Sequence, residues 1–340
     1  MKYTLSLIFI AMYSTLYVYG QFPASCDPQS ARGCIGNSLQ LTVSNGKGAH
    51  YVDVNGYRIK DKLQTMMTFE AWIKPQRQVG KIQFIAGLWG PANDNNDVWR
   101  LYFDQTDNLV IEVNGDGTKL GANDNTIARF PANGLYASWN HVAAQFDGNT
   151  GFVFLYINGQ QVATGRNNTY PAQYLRPPEN QSLPMQIGST NGLSDNENLF
   201  RTFKGEMDEI RYWRRIVPQP ELECERFKSR AGNEAGLIFY YRCNENNSTF
   251  TLCDATGKNY TGNMRSGAVC DKTDRDIPLT IVTSVQKIEE DVQCDDKRTW
   301  NITVEDTSIC GNNVSIRIVG RDNSSFTLSR NSAQLLSKTP

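Results

Sequence analysis

Short runs in which apolar and polar residues alternate dominate the chain between residues 37 and 270. Examples are LQLTVS, HYVDVNG, TFEAWIKP, WRLYFD, LVIEVNG, FVFLYINGQQVATG and GEMDEIRYW. Strand side chains point alternately to two faces, so each run predicts a strand that buries one face. Turn-forming pairs separate the runs, and Asn158-Gly159 predicts a type I′ hairpin. The pattern predicts an all-β protein, an antiparallel two-sheet sandwich.

One segment has the features of a helix rather than a strand. PQPELECERFKSR, residues 218–230, begins with the prolines Pro218 and Pro220, after which glutamates occupy the first turn of the predicted helix and basic residues lie near its end. We therefore expect one short helix late in the sandwich.

The character of the chain changes after about residue 276. PLTIVTSVQ, TWNITVED, NVSIRIVGRD and SFTLS still alternate, but no strong closing strand follows them. We predict a second small β-sandwich-like module over 277–340 that is incomplete or needs a partner. The predicted organisation is a signal peptide at 1–20, a disulfide-pinned lead-in at 21–36, the main sandwich at 37–276 and this second module.

The first 20 residues have the pattern of a secretory signal. Lys2 precedes an apolar stretch, and Val18 and Gly20 are small enough for cleavage before Gln21. A membrane anchor is the alternative, but polar residues at 13–17 and the short length weaken it. We expect a secreted, extracellular chain whose mature form does not insert into a membrane. The net charge of −1 gives no reason to expect nucleic-acid binding.

Cysteine usage agrees with an oxidising compartment. An even number of cysteines behind a signal peptide predicts disulfides, and the candidates are Cys26, Cys34, Cys224, Cys243, Cys253, Cys270, Cys294 and Cys310. Proximity favours the pairs Cys26–Cys34 and Cys294–Cys310, which leaves the other four to pair among themselves in an order left open. No C-x-x-C spacing occurs, which disfavours a zinc or thioredoxin-type site.

Asn-x-Ser/Thr sequons predict surface positions and a glycoprotein, provided that the source cell glycosylates. They begin at Asn167, Asn180, Asn246, Asn247, Asn259, Asn301, Asn313 and Asn323.

The order of the segments resembles a known family, the laminin-G-like jellyroll domains within the concanavalin A-like lectin/glucanase fold. The matching pieces cover about residues 36–270: GNSLQLTVSNGKGAHYVDV, MTFEAWIKP, GLYASWNHVAAQFDG, GFVFLYINGQQVATG, MQIGS, FKGEMDEIRYWRRIVPQPELE and GNEAGLIFYYRCNENNSTFTLCDATGKNYTG. The resemblance implies a jellyroll and a role in recognition or adhesion.

The tryptophans are expected to have two kinds of role. Trp72, Trp139 and Trp213 lie in strand-like runs and are expected to fill the space between the sheets. Trp89 and Trp99 flank the polar loop GPANDNND and are the candidate ligand-binding residues of the loop rim.

Glu206 and Asp208 are the candidates for catalysis, because residues two apart in a strand share a face and paired carboxylates cleave glycosides. Resemblance to glucanases of this fold implies a third acid at i+4 from Glu206, or at i+5 with a bulge. Ile210 and Arg211 occupy those positions, and Glu209 is expected to point to the opposite face. With only two histidines, His50 and His141, we predict no catalytic residues.

Calcium is the one candidate cofactor, since members of the wider fold hold Ca²⁺ at one rim. Acidic, Asn-rich loops supply hard oxygen ligands, and the candidates are Asp94, Asp97, Asp195 and Glu197. The alternative is that Asp and Asn simply form turns there.

The sequence therefore predicts a secreted, non-enzymatic recognition or adhesion protein that binds an extracellular glycan or protein through the loop rim. The alternatives are a glucanase-type glycoside hydrolase and a structural domain of a larger cell-surface protein.

Overall fold

The computed structural model describes residues 2–7, 37–42, 50–59, 64–90, 97–114, 124–178, 180, 182–190, 202–226, 230–243, 250–265, 268–272, 289–293, 315–319 and 325–329. The chain divides into two compact units. One is Tyr17–Ile277, and the other combines Met1–Leu16 with Pro278–Pro340. The predicted lead-in at 21–36 lies outside the described residues.

Strands dominate the described residues, with one short helix, α1 (Gln219–Glu225). In chain order the strands are β1 (Lys2–Leu7), β2 (Asn37–Leu41), β3 (Tyr51–Val54), β4 (Met66–Pro75), β5 (Gln83–Leu88), β6 (Trp99–Phe103), β7 (Asn108–Val113), β8 (Thr126–Pro131), β9 (Asn140–Asp147), β10 (Phe152–Ile157), β11 (Gln160–Arg166), β12 (Met185–Ile187), β13 (Gly205–Trp213), β14 (Leu237–Tyr241), β15 (Thr251–Leu252), β16 (Gly262–Arg265), β17 (Val269–Lys272), β18 (Glu289–Gln293), β19 (Ser315–Val319) and β20 (Ser325–Ser329).

Two antiparallel sheets form the larger unit. The first, which we call the back sheet, has the order β11-β10-β9-β4-β13-β2-β17, with β14 also paired to β13. The second, the front sheet, has the order β15-β16-β3-β12-β5-β6-β7-β8. This confirms the predicted all-β sandwich with one helix.

The core between the two sheets follows from the alternation of side chains. Trp99 of the front sheet stacks on Tyr212 of the back sheet with 5.8 Å between ring centroids, and Phe69 lies 5.9 Å from the same indole. All three residues are fully buried. Burying one large apolar side chain contributes about 1.5–3 kcal/mol, so this interface supplies much of the driving force for folding.

The outer face of the back sheet is also buried, which corrects the prediction for two tryptophans. Trp72 and Trp213 do not lie between the sheets, because the alternation in β4 and β13 directs them outward. There, Trp213 packs in a cluster with Leu222 of α1, and the Trp72 indole donates to the carbonyl of Arg226, 2.9 Å away. The segment that contains α1 therefore covers this face.

The helix is shorter than predicted, since it ends at Glu225 with Arg226 as its C-cap rather than continuing to residue 230. The β10–β11 hairpin turns at Asn158 and Gly159, whose φ angles of 52° and 85° fit the predicted type I′ turn. A Cβ on Gly159 would lie 2.5 Å from Cα of Glu223, so glycine lets the hairpin pack against α1.

The smaller unit contains a four-stranded sheet of order β18-β1-β19-β20, with antiparallel pairing throughout. No helix in the described ranges has the length and hydropathy needed to cross a membrane.

Candidate functional site

The two predicted ligand-binding tryptophans occupy different environments. Trp99 is fully buried in the core, so its predicted place on the rim is wrong: alternation in β6 directs the ring between the sheets. Trp89 follows β5 directly and is 9 % exposed. Its ring lies 4.0 Å from Cζ of Arg100, which faces the outer side of the front sheet.

Arg100 belongs to a row of residues that crosses the outer face of the front sheet. Successive strands pair these residues directly opposite one another, which places them on one face. The row runs from β16 to β7 through Asn263, Asp53, Gln186, Gly87, Arg100 and Glu112. We call this row, together with Trp89 and Tyr102, the front face.

The Arg100 guanidinium is fixed in place from several sides. Its Nε and Nη2 lie 2.7 and 2.6 Å from Oε2 of Glu112, an ion pair, and Cζ lies 4.5 Å from the centre of the Tyr102 ring. The structure gives Nη1 no hydrogen bond to any described residue, although the Arg100 side chain is 19 % exposed. Arg100 therefore presents one donor edge that its neighbours in the described ranges do not use.

Glu112 accepts further hydrogen bonds that hold the pair together. The hydroxyl of Tyr102 donates to Oε2 at 3.0 Å, and Nδ2 of Asn125 donates to Oε1 at 2.6 Å. Burial raises the pKa of Tyr102 to about 12; Arg100 lowers it and Glu112 raises it further. Tyr102 thus remains a neutral donor at physiological pH.

A glycine, which has no side chain, lies between Arg100 and Gln186 in this row. The residue between them is Gly87, where a Cβ would lie 2.9 Å from Cα of Arg100 and even closer to the carbonyl oxygen of Trp99. The twisted strand therefore requires glycine at this position. Beyond it, Gln186 donates to Oδ1 of Asp53 at 2.8 Å, and Arg265 donates to Oδ2 at 2.9 Å.

The sequence contains a signal for this face that the prediction of a loop rim did not use. Arg100 and Glu112 are single charged residues inside otherwise apolar strands, WRLYF and NLVIEV. A charge at such a position must be paired when the strand is buried. The register then makes the two charges direct cross-strand partners.

Three of the four predicted calcium ligands lie outside the described residues, Asp94 within 91–96 and Asp195 and Glu197 within 191–201. Asp97 is described, and its Oδ1 accepts a hydrogen bond from the amide of Gly90 at 3.0 Å. Within the described ranges, no three His, Cys, Asp or Glu side chains form a group that could hold a metal ion.

The Glu206 and Asp208 pair lies on the outer face of the back sheet, as the spacing predicts. Glu206 accepts from Oγ of Ser38 at 3.0 Å and lies 3.7 Å from Nζ of Lys74. Asp208 is fully buried, and its Oδ1 accepts from the amide of Glu209 at 2.8 Å. Both carboxylates have structural partners, and Asp208 has no exposed surface to offer a substrate.

The expectation that Glu209 points to the opposite face is wrong. A bulge between Asp208 and Arg211 shifts the register, and Glu209 has a φ of 52°. The bulge keeps Glu209 on the outer side. There Oε2 accepts from Arg211 at 2.7 Å and also from the hydroxyl of Tyr240.

A buried ionic cluster extends from this bulge. Glu70 lies 3.5 Å from Nη1 of Arg211 and 3.1 Å from Nε2 of His141, and it accepts from the indole of Trp213 at 2.9 Å. Burial by itself would raise the pKa of Glu70, but Arg211 and then His141 and Trp213 lower it to about 2. Burial lowers the pKa of His141, so its imidazole is neutral at pH 7. The covering segment and these partners give the cluster a structural role.

The cysteines and sequons are only partly described. Cys224 and Cys253 are disulfide-bonded. Cys243 differs from the prediction: it is a buried thiol that donates to the carbonyl of Tyr241 at 3.9 Å. Cys270 lies in β17. The remaining predicted cysteines lie outside the described residues: Cys26, Cys34, Cys294 and Cys310.

Among the sequons, Asn180 and Asn259 are exposed, as a surface site requires, and Asn167 is partly exposed. Nδ2 of Asn167 lies 3.5 Å from the carbonyl oxygen of Asn125. The others fall outside the described residues: Asn246, Asn247, Asn301, Asn313 and Asn323.

The chain belongs to the concanavalin A-like lectin/glucanase superfamily, because the Laminin G model of that superfamily matches residues 45–223. A comparison with curated proteins gave no match.

Several solved structures are similar to this chain at low sequence identity. A candidate carbohydrate-binding protein of Bacteroides ovatus is 22% identical over 71% of this chain and 61% of its own, with a TM-score of 0.52. A pentraxin of Limulus polyphemus is 15% identical over 56% and 81%, with a TM-score of 0.41. The sialidase CBM40 of Ruminococcus gnavus bound to α2,3 sialyllactose is 16% identical over 55% and 95%, with a TM-score of 0.40. The chain thus spans about three fifths of the length of the first of these structures.

Proposed function

We propose that the sandwich is a non-enzymatic glycan-binding domain and that its front face contacts the sugar. The observation that carries this proposal is the unused donor edge of Arg100, held rigidly between Trp89, Tyr102 and Glu112. Sugars offer many hydroxyl and ring oxygens that accept hydrogen bonds. A fixed donor recognises such an acceptor at a low entropic cost, because its side chain is already ordered.

The contact is expected to be polar rather than a stack on the indole. The guanidinium already lies 4.0 Å above the Trp89 ring, and Trp89 is only 9 % exposed. Trp89 is therefore a positioning residue that orients Arg100. This modifies the expectation of a rim formed by Trp89 and Trp99.

The back sheet gives little support for a second binding face of this kind. Its outer side carries the apolar cluster of Trp213 and Leu222 beneath α1 and the buried ionic cluster of Glu70. Burial of Asp208 argues against the alternative of a glucanase, since both carboxylates of a glycosidase must reach the substrate.

Secretion and calcium binding remain part of the proposal. The apolar N-terminal stretch with Lys2 and the even number of cysteines support secretion. The acidic loops that hold Asp94, Asp97, Asp195 and Glu197 support a calcium site. A rise in melting temperature in millimolar Ca²⁺, abolished by Asp97→Ala, is the expected result, and an unchanged melting temperature contradicts the calcium proposal.

The test of glycan binding uses an oligosaccharide array with the full chain and two matched variants. Arg100→Ala removes the donor edge, whereas Arg166→Ala removes an equivalent guanidinium 5.6 Å from the Phe152 ring on the back sheet. We expect binding by the wild type and Arg166→Ala and a loss of at least tenfold in Arg100→Ala, since a hydrogen bond to a charged group contributes about 1.5–3 kcal/mol.

Three outcomes would contradict the proposal. They are the absence of binding to any glycan, equal affinity in both variants, and release of reducing ends that Glu206→Gln abolishes. The last would establish the glucanase alternative.

A further inference from the structure

On the outer side of the front sheet, the guanidinium groups of the described strands are each paired with a carboxylate. Among the described strands of the front sheet, three place a guanidinium on the outer side: Arg100, Arg129 and Arg265. Arg100 lies 2.6 Å from Glu112, and Arg265 lies 2.9 Å from Asp53. Nε of Arg129 lies 4.0 Å from Oδ2 of Asp104. Each of these cations therefore has its own carboxylate.

We infer that the front face selects neutral glycans over acidic ones, an inference that rests on the proposed function. A net positive field is what attracts and holds an anionic ligand. Here the field of each guanidinium is cancelled at close range by its partner carboxylate. An incoming carboxylate or sulfate gains little from Arg100 because it also approaches Glu112, whereas a hydroxyl gains a hydrogen bond without meeting repulsion.

The hydrogen bonds that hold the partner carboxylates in place also favour a neutral glycan. Glu112 is fixed by Tyr102 and Asn125, so it cannot swing aside to admit an anion without losing hydrogen bonds of 3.0 and 2.6 Å. Across Gly87, Asp53 is held in the same way, since Oδ1 accepts from Nε2 of Gln186 at 2.8 Å and Oδ2 accepts from Nε of Arg265 at 2.9 Å. This carboxylate therefore stays beside its guanidinium and repels an anion that approaches Arg265.

The experiment compares matched pairs of ligands on the full chain. An array carries neutral oligosaccharides beside the sialylated and sulfated forms of the same glycans, and the best binder is titrated calorimetrically at 50 and 500 mM NaCl. We expect the neutral form to bind more tightly than its acidic form, with a dissociation constant that changes less than about twofold between the two salt concentrations.

A variant that removes one of the paired carboxylates tests independently whether charge matching causes the preference for neutral glycans. Glu112→Gln keeps the size of the side chain but leaves Arg100 without its counter-charge. The ratio of acidic to neutral affinity should rise by about fivefold or more, the effect of one unit charge at contact distance even in water. Asp53→Asn removes the counter-charge of Arg265 and should also raise the ratio of acidic to neutral affinity. It replaces Glu112→Gln in the experiment if that variant does not fold.

The outcomes separate the two proposals. Binding to acidic forms in preference to neutral ones, with an affinity that falls steeply with salt, overturns the selection of neutral glycans and leaves glycan binding intact. An unchanged ratio in the folded variants likewise overturns the charge-matching argument. If the wild type binds no glycan, the proposed function is wrong, and this inference is wrong with it.

Discussion

The buried ionic cluster of the back sheet gives a prediction whose size can be worked out from the contacts. Glu70→Gln removes the carboxylate that faces Arg211, His141 and Trp213, all of them buried. Arg211 then keeps Glu209, 2.7 Å away, as a counter-charge, but it has lost the one that Glu70 supplied. Breaking a buried ion pair by removing one partner costs about 3–5 kcal/mol, because the remaining charge stays desolvated.

The pKa of Glu70 gives a second route to the same figure. Its value falls from 4.5 to about 2 on folding, which corresponds to about 3 kcal/mol at neutral pH. Because the folded pKa lies below the unfolded one, this stabilisation is fully present above about pH 4.5. It is lost progressively as the pH falls through about 2, and only below that value is the carboxyl protonated in both states.

The assay is urea unfolding of the wild type and Glu70→Gln between pH 7 and pH 3. We expect a difference of about 3 kcal/mol in unfolding free energy at pH 7, or about 10 °C in melting temperature for a domain of this size. The difference should shrink below pH 4.5. Glu221→Gln is the matched control: its side chain is 24 % exposed and pairs with Arg215 and Arg230, so it should cost about 1 kcal/mol at most. Equal losses in the two variants, or a difference that does not change with pH, would refute the reasoning.

Three further substitutions test the packing. Gly159→Ala should lower the unfolding free energy by about 1–3 kcal/mol, since φ is 85° and the new Cβ meets Glu223; an unchanged melting curve contradicts this. Trp99→Ala should lower the free energy of unfolding in urea by about 3–5 kcal/mol, because the ring fills the core. A variant with wild-type stability that has lost only glycan binding would contradict this and would indicate that Trp99 contacts the ligand. Gln64→Leu should cost about 2 kcal/mol, since Gln64 links the hydroxyls of Tyr57 and Tyr212 at 2.5 and 2.6 Å; thermal melting no lower than that of the wild type would show that the link is dispensable.

The fold could be predicted from the sequence because period-two alternation and turn pairs are local signals. Alternation alone does not state which of two faces meets the other sheet. For this reason Trp72 and Trp213 were expected between the sheets, although they lie outside beneath α1, and Trp99 was expected at the rim although it is central to the core. Both errors concern the choice of face.

The site could be predicted only in part. Trp89 was found from the polar loop beside it, but its main partner Arg100 comes from the neighbouring strand, and only the register brings them together. The bulge that places Glu209 on the outer side depends on a backbone φ of 52° at this residue. The residue pattern of FKGEMDEIRYWRR does not predict a positive φ at a glutamate. Long-range pairing and local backbone irregularities are therefore what the sequence did not reveal.

A crystal structure of the protein with the tightest neutral oligosaccharide from the array tests the central claim most directly. We predict that the sugar lies on the front face, with one of its oxygens within hydrogen-bond distance of Nη1 of Arg100 and the Arg100–Glu112 pair intact. A sugar bound elsewhere, on the outer face of the back sheet or at Glu206, would contradict the account.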